Sequence, residues 1–343
     1  MAPTATVRAD SPIRSSDDTH EELTTSKNLW EIVDIPGKGK GIIVTQATTP
    51  GTLLLSEAPL LTTDVVSSIA TAEADLETAL SKLSLSEQEN FRTLHTNFPE
   101  NDDEKLIGII RSNAYPLGSD TDVGGLFPEI ARINHSCLPN SVQYWNELLG
   151  KQTIYAVRPI AKGEEITTCY QHGGTSKQRK EVLKEYFRFD CMCELCSLPA
   201  DELQASDERM SQAEKLDETI GNSKKVHFEP DEVMKCARQM FDIYQTEDIK
   251  DGRLSRLYYD IFQMCNMHSD LARARCFAKY YTDAKKMAEG GDSLNVLEMK
   301  AFVKNPSEHE SFGSTEKWAT KASDVPKGLK PGAFKKWLWR EDV

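Results

Sequence analysis

Arg132-Ile133-Asn134-His135-Ser136-Cys137-Leu138-Pro139-Asn140 gathers two amide side chains, an imidazole and a thiol into nine residues. Two downstream segments read as parts of the same site. One is Gly163-Glu164-Glu165-Ile166-Thr167-Thr168-Cys169-Tyr170; the other is a Cys-x-Cys-x-x-Cys run at Cys191, Cys193 and Cys196. Closely spaced thiols strain disulfide geometry but suit a soft metal, and tetrahedral zinc takes four sulfur or imidazole ligands. The run supplies three. A fourth has to come from elsewhere, with Cys137, Cys169 and His172 as the candidates.

Upstream, strand-like apolar spacing over Leu29 to Ile35 is interrupted by Pro36-Gly37-Lys38-Gly39-Lys40-Gly41 and resumes at Ile42-Ile43-Val44. This predicts strand, glycine loop, strand, followed by a turn at Thr49-Pro50-Gly51 and a third short strand from Leu53. A glycine-rich main chain can approach a nucleoside-like ligand closely. The run lacks the three spaced glycines of a dinucleotide fold and the Gly-Lys-Ser/Thr end of a P-loop. From Ile69 to about Ser112 the spacing becomes helical, with Ser86 and Glu89 placed as a capping box, so a helical insert of about residues 66–113 is expected inside a β domain. Strands are expected at Ser141 to Trp145, Thr153 to Val157 and Glu165 to Tyr170. Thr175 with Gln178 caps a helix running to about Tyr186.

Strand signals stop at Leu203. Met234 to Tyr244, Leu254 to Met267 and Leu271 to Met287 carry helical spacing, and His268 falls on an apolar helix side as a packing residue. Trp337-Leu338-Trp339 is too aromatic to lie in water and is expected to fold back.

Composition narrows the function. The 343 residues carry 41 Lys+Arg against 54 Asp+Glu, a net charge of −13. Such a surface repels phosphate backbones and favours basic partners, so direct nucleic-acid binding is not expected. Eight cysteines are too few for a disulfide scaffold, and neither a signal-peptide core nor a run of about 18 apolar residues is present. The expectation is a soluble intracellular monomer, nuclear or cytoplasmic, behind a polar disordered leader over 1–27.

Taken in order, Gly39-Lys40-Gly41, the Asn134-His135 stretch, the segment ending at Tyr170 and the three-cysteine run resemble the SET-domain protein lysine methyltransferases. The helical insert and helical C-terminal region are similar to the SET-and-MYND branch and its fungal relatives. No cysteine lies between residues 41 and 136, so the MYND zinc finger of that branch is absent. The resemblance implies an α+β chain: a SET-type β fold of short strands with a helical insert over 28–190, a zinc-bound post-SET segment at 191–200, and a C-terminal helical region over 201–343. It further implies that Lys38, Gly39, Lys40, Gly41, Asn134, His135, Tyr170 and Phe189 hold S-adenosylmethionine. By the same resemblance Tyr170 would be the catalytic hydroxyl, and Cys137 would join Cys191, Cys193 and Cys196 on zinc. Phe187 stands where many relatives carry a second tyrosine. The implied activity is methyl transfer to a lysine of a basic protein, a histone among the candidates. The rival expectation is a non-catalytic SET-like binding module.

Overall fold

The computed structural model describes residues 29–98, 105–118 and 121–341; the leader expected over 1–27 lies outside the described residues. Strands β1 (Trp30–Ile35) and β2 (Gly39–Val44) form an antiparallel hairpin in which Ile35 faces Gly39 and Val33 faces Gly41. The glycine run is therefore only half loop: Pro36 to Lys38 turn the chain, and Gly39 to Gly41 already pair. Positive φ at Gly37 and Gly39 permits so tight a reversal.

Beyond β3 (Leu53–Glu57) and β4 (Leu61–Thr62), the described residues of the insert form α1 (Ala72–Leu80), α2 (Leu85–Arg92) and α3 (Lys105–Asn113). They close a small core of their own around Leu76, Leu80, Phe91, Leu106 and Ile109. The capping box belongs to Ser84 and Glu87, not to Ser86 and Glu89 as the spacing suggested. Ser84 takes the extended dihedrals an N-cap requires, whereas Ser86 already sits in the first helical turn.

Strands β5 (Ala114–Pro116), β6 (Gly124–Leu126), β7 (Asn134–His135), β8 (Ser141–Asn146), β9 (Lys151–Ala156) and β10 (Thr167–Thr168) follow. They build two three-stranded antiparallel sheets, ordered β3-β9-β8 and β4-β6-β5, and a short parallel pair, β7 with β10. The strand expected over Glu165 to Tyr170 is shorter because its partner changes. The Ile166 N–H donates to the Ile42 carbonyl of β2, and then Thr167 and Thr168 pair with Asn134 and His135. Ile42, Val44, Leu54, Ile133, Ile154 and Ile166 pack beneath these elements as one core.

Helix α4 (Ser176–Phe187) carries the expected Thr175–Gln178 capping box. Past it are α5 (Ala200–Ile220), α6 (Ser223–Phe228), α7 (Pro230–Thr246), α8 (Gly252–Met267), α9 (Leu271–Glu289), α10 (Leu294–Lys304) and α11 (Pro331–Leu338). The three expected helices correspond to α7, α8 and α9; α5, α6, α10 and α11 had not been expected. Helices α5 to α9 surround a core centred on Phe262, Cys265 and Phe277, and Leu338 and Trp339 fold back into it as expected. His268 is wholly buried, with its ring nitrogens bonded to Thr315 Oγ1 and the Val226 carbonyl, a packing role.

Candidate active site

The site is assembled where β7 and β10 run side by side. Parallel pairing sets Asn134 against Thr167 and His135 against Thr168, and the main chain of Ser136 donates to the Thr168 carbonyl at 2.9 Å. Asn140, at the far end of the nine-residue stretch, fixes this register. Its Nδ2 donates to the Glu165 carbonyl at 2.8 Å, and its Oδ1 accepts from Thr167 N–H at 2.9 Å.

The Asn134 amide donates to the Lys40 carbonyl at 3.1 Å and to Glu165 Oε1 at 2.8 Å, so the glycine hairpin and the Tyr170 segment meet through one side chain. Glu165 Oε2 in turn takes the Lys38 ammonium at 2.6 Å. Lys38 thus joins Asn134 through Glu165, while the Lys40 side chain pairs with Asp34 across the hairpin and Lys40 meets Asn134 through its carbonyl. Gly41 lies beneath this junction. A Cβ there would come within 2.5 Å of Ile35, 2.8 Å of Asn134 and 2.9 Å of Glu165.

His135 is the hinge between two halves of the site. Its Nδ1 accepts from the Tyr170 main-chain N–H at 3.0 Å, which leaves Nε2 as the protonated nitrogen, 3.2 Å from Cys137 Sγ. Burial pushes its pKa down to about 4, so the ring is neutral near pH 7. The Tyr170 hydroxyl donates to the Ile133 carbonyl at 2.6 Å, and burial holds its pKa well above the usual phenol range. Phe187 lies 5.0 Å from the Tyr170 ring, centroid to centroid; Phe189 lies 5.9 Å from His135 and meets Tyr170 edge-on at 6.4 Å. A left-handed Arg188 (φ 59°) ends α4 and swings Phe189 into this aromatic group.

Immediately behind it stand the four thiols. Cys137, Cys191, Cys193 and Cys196 place their sulfurs within 4.8 Å of one another, and Cys137 Sγ is 3.9 Å from Cys191 and 3.6 Å from Cys196. A tetrahedral zinc with bonds of about 2.3 Å needs sulfurs about 3.8 Å apart, so this donor set fits a zinc ion. The other two candidates for the fourth ligand are engaged elsewhere. Cys169 Sγ donates to the Gln171 carbonyl, and His172 lies against Asp251 at 3.5 Å.

Residues 39–171 match the SET domain family. Over 284 residues, 82% of this chain and 85% of the relative, the sequence is 34% identical to histone-lysine N-methyltransferase set5 of Schizosaccharomyces pombe. The chain belongs to the SET-domain protein-lysine methyltransferases. More distant likeness extends to histone-lysine N-methyltransferase SMYD1 of Homo sapiens, 26% identical over 176 residues, which are 47% of this chain and 33% of that protein. N-lysine methyltransferase SMYD2 of Homo sapiens is 29% identical over 113 residues, 32% of this chain and 26% of that protein.

This SET-domain methyltransferase is thus an enzyme, not a SET-like binding module. The sequence assigns no role to three residues of this site, although Asn140 and Glu165 lie within the stretches that point to it. Glu165 bridges Lys38 and Asn134, Asn140 sets the strand register, and buried Arg179 on α4 faces the cysteine cluster. The Asn140 signal was its place in the nine-residue stretch; an arginine on a charged helix such as α4 carries none.

Proposed function

We propose that this enzyme transfers a methyl group from S-adenosylmethionine to a lysine side chain of a histone or another basic protein, with Tyr170 as the catalytic hydroxyl. The observation that carries the reading is the Tyr170–His135 junction. One residue presents a phenol fixed on the Ile133 carbonyl, its own main chain is held by His135, and Asn134 beside it reaches the glycine hairpin.

The residues suit the cofactor by their chemistry. Lys38 and Glu165 offer one cation and one carboxylate for the carboxylate and ammonium of an amino-acid head, with the Asn134 amide and the main chain of Gly39 to Gly41 alongside. Phe189 offers an aromatic face for adenine. When bound, the sulfonium supplies an electrophilic methyl group. The chain's task is then alignment more than acid–base chemistry. The acceptor lysine, with an ordinary pKa of about 10.4, has to be neutral, and an apolar pocket beside a cation pulls it down. Phe187 and Phe189 supply apolar walls, and Tyr170 with nearby carbonyls orients the amine. Cys137, Cys191, Cys193 and Cys196 would hold zinc, a structural role that seats Phe189 against His135. The net charge of −13 favours a basic substrate, and eight free cysteines suit a reducing intracellular compartment, nuclear or cytoplasmic.

The test is incorporation of label from S-adenosylmethionine into core histones and fractionated cell extract, with zinc assayed in parallel. Tyr170→Phe is expected to lose about a hundredfold or more of the rate with zinc retained. Unchanged transfer by that variant removes Tyr170 from the mechanism; label on extract proteins but not on histones moves the substrate elsewhere.

A further inference from the structure

A zinc ion bound by four thiolates carries a net charge of −2, and the four cysteines here are packed among Leu183, Leu195, Phe187, Phe189 and Leu138. An uncompensated charge in such surroundings is costly. Arg179 presents the opposite deficit. The residue is 3% exposed, yet among the described residues only Nη1 has a hydrogen-bond partner, the Gly174 carbonyl at 2.6 Å. Nε and Nη2 are buried without a hydrogen-bond partner. Its guanidinium lies against Cys137 and Cys196, on a helix whose Lys180 reaches the Cys196 carbonyl and whose Leu183 packs among the four cysteines. Arginine stays charged in protein interiors, so this is a buried cation with two unmet N–H groups beside two metal-binding sulfurs.

We propose that Arg179 is the charge-balancing partner of the four-cysteine metal centre, donating Nε–H and Nη2–H to the sulfurs of Cys137 and Cys196. This rests on the reading that the four cysteines hold zinc. A role confined to the Gly173–Gly174 loop would account for Nη1 and leave the other two nitrogens unexplained. The helix is well placed to hold the group rigidly. Ser176 N–H and Oγ both bond Asp207 of α5 at 2.6 Å, and Leu183, one turn beyond Arg179, packs in the cysteine cluster itself. Lys180 reaches the Cys196 carbonyl at 3.3 Å, not its sulfur, so its charge cannot substitute for the guanidinium's directed bonds.

The experiment is competition for zinc between the full-length protein and a chromophoric chelator at fixed pH, after metal stoichiometry has been measured. Arg179→Gln is expected to weaken zinc binding about 10–100-fold, the usual effect of losing an outer-shell partner, while Arg179→Lys loses less. Ser176→Ala, which loosens the same helix without touching charge, is expected to bind zinc as the wild type does. Wild-type affinity in Arg179→Gln, or equal losses in the Gln and Lys variants, overturns the proposal. So does an equal loss in Ser176→Ala, because helix placement would then explain the effect. Should Arg179→Gln not fold, Arg179→Met takes its place against Arg179→Lys under the same criteria. Wild-type protein free of zinc overturns the metal reading itself, and this one with it.

Discussion

At Gly41 a single hydrogen atom decides whether the site can assemble. Three groups crowd its α-carbon: the Ile35 side chain, the Asn134 amide and the Glu165 carboxylate, all closer to a virtual Cβ than real contacts allow. Gly41→Ala must therefore displace the Asn134–Glu165 hydrogen bond or open the hairpin, at an overpacking cost of about 1–3 kcal/mol. The expected result is a lower melting temperature together with at least about tenfold weaker S-adenosylmethionine binding by calorimetry. Unchanged affinity would separate Asn134 from the cofactor. Asn134, His135 and Cys137 could be read from the sequence because they lie within four positions of each other and their side chains are chemically distinctive. Glu165 and Arg179 could not, since their partners lie 31 and 42 positions away (165 − 134; 179 − 137). Only folding brings them together.

The elements follow similar logic. The helices α7, α8 and α9 were legible because large apolar side chains recur on one face. Helix α5 was not. Of its buried residues Ser206, Met210, Ala213, Leu216 and Ile220, two are small, and Ser206 is inside because it bonds Glu247 of α7's C-terminal end. At α2, local rules were sound but applied two residues late. Ser84→Ala is expected to cost about 1 kcal/mol by denaturant melts and Ser86→Ala only a few tenths, since just the former accepts the Glu87 N–H. Equal losses would contradict the cap assignment. The loop after Tyr170 is tied to the N-terminus of α8 through His172 and Asp251. The hydrogen bond to Asp251, then one to Cys169, raises the half-exposed His172 to about 10 from 6.5. Burial opposes ionisation of Asp251, but bonds from His172 and Arg253 hold it below 3.8. The raised histidine contributes fully below pH 6.5 and loses its contribution as pH rises through 10, while the depressed aspartate contributes above pH 3.8. His172→Gln should therefore lower the melting temperature more at pH 6 than at pH 9.5. A loss independent of pH would show that the ion pair is not what joins loop and helix.

The cysteine cluster is also one of the places where the β core and the helical region are joined. Leu138, next to Cys137, packs both against the cysteines and against the core of the C-terminal helices. Arg158 reaches Asp248 at the end of α7, and Ser176 reaches Asp207 of α5. The β core, the cysteine segment and the helical region therefore meet here, as the β core and the helices also do where α9 packs on β8 and β9 and Asn146 donates to Asp292, and a metal at the cluster acts on the first of these joints. A ligand present at a thousand times its dissociation constant stabilises the folded state by about 4 kcal/mol, which for a chain of this size corresponds to a shift of about 6 °C. Stripping zinc with a chelator is expected to lower the melting temperature by about that amount. It should also abolish S-adenosylmethionine binding, because Phe189 and His135 are held from the metal side by Cys191 and Cys137. Both losses should reverse when zinc is restored. A stripped protein that melts at the original temperature and still binds cofactor would mean that the thiols are packing groups alone, and that Phe189 keeps its place through the aromatic contacts with His135 and Tyr170.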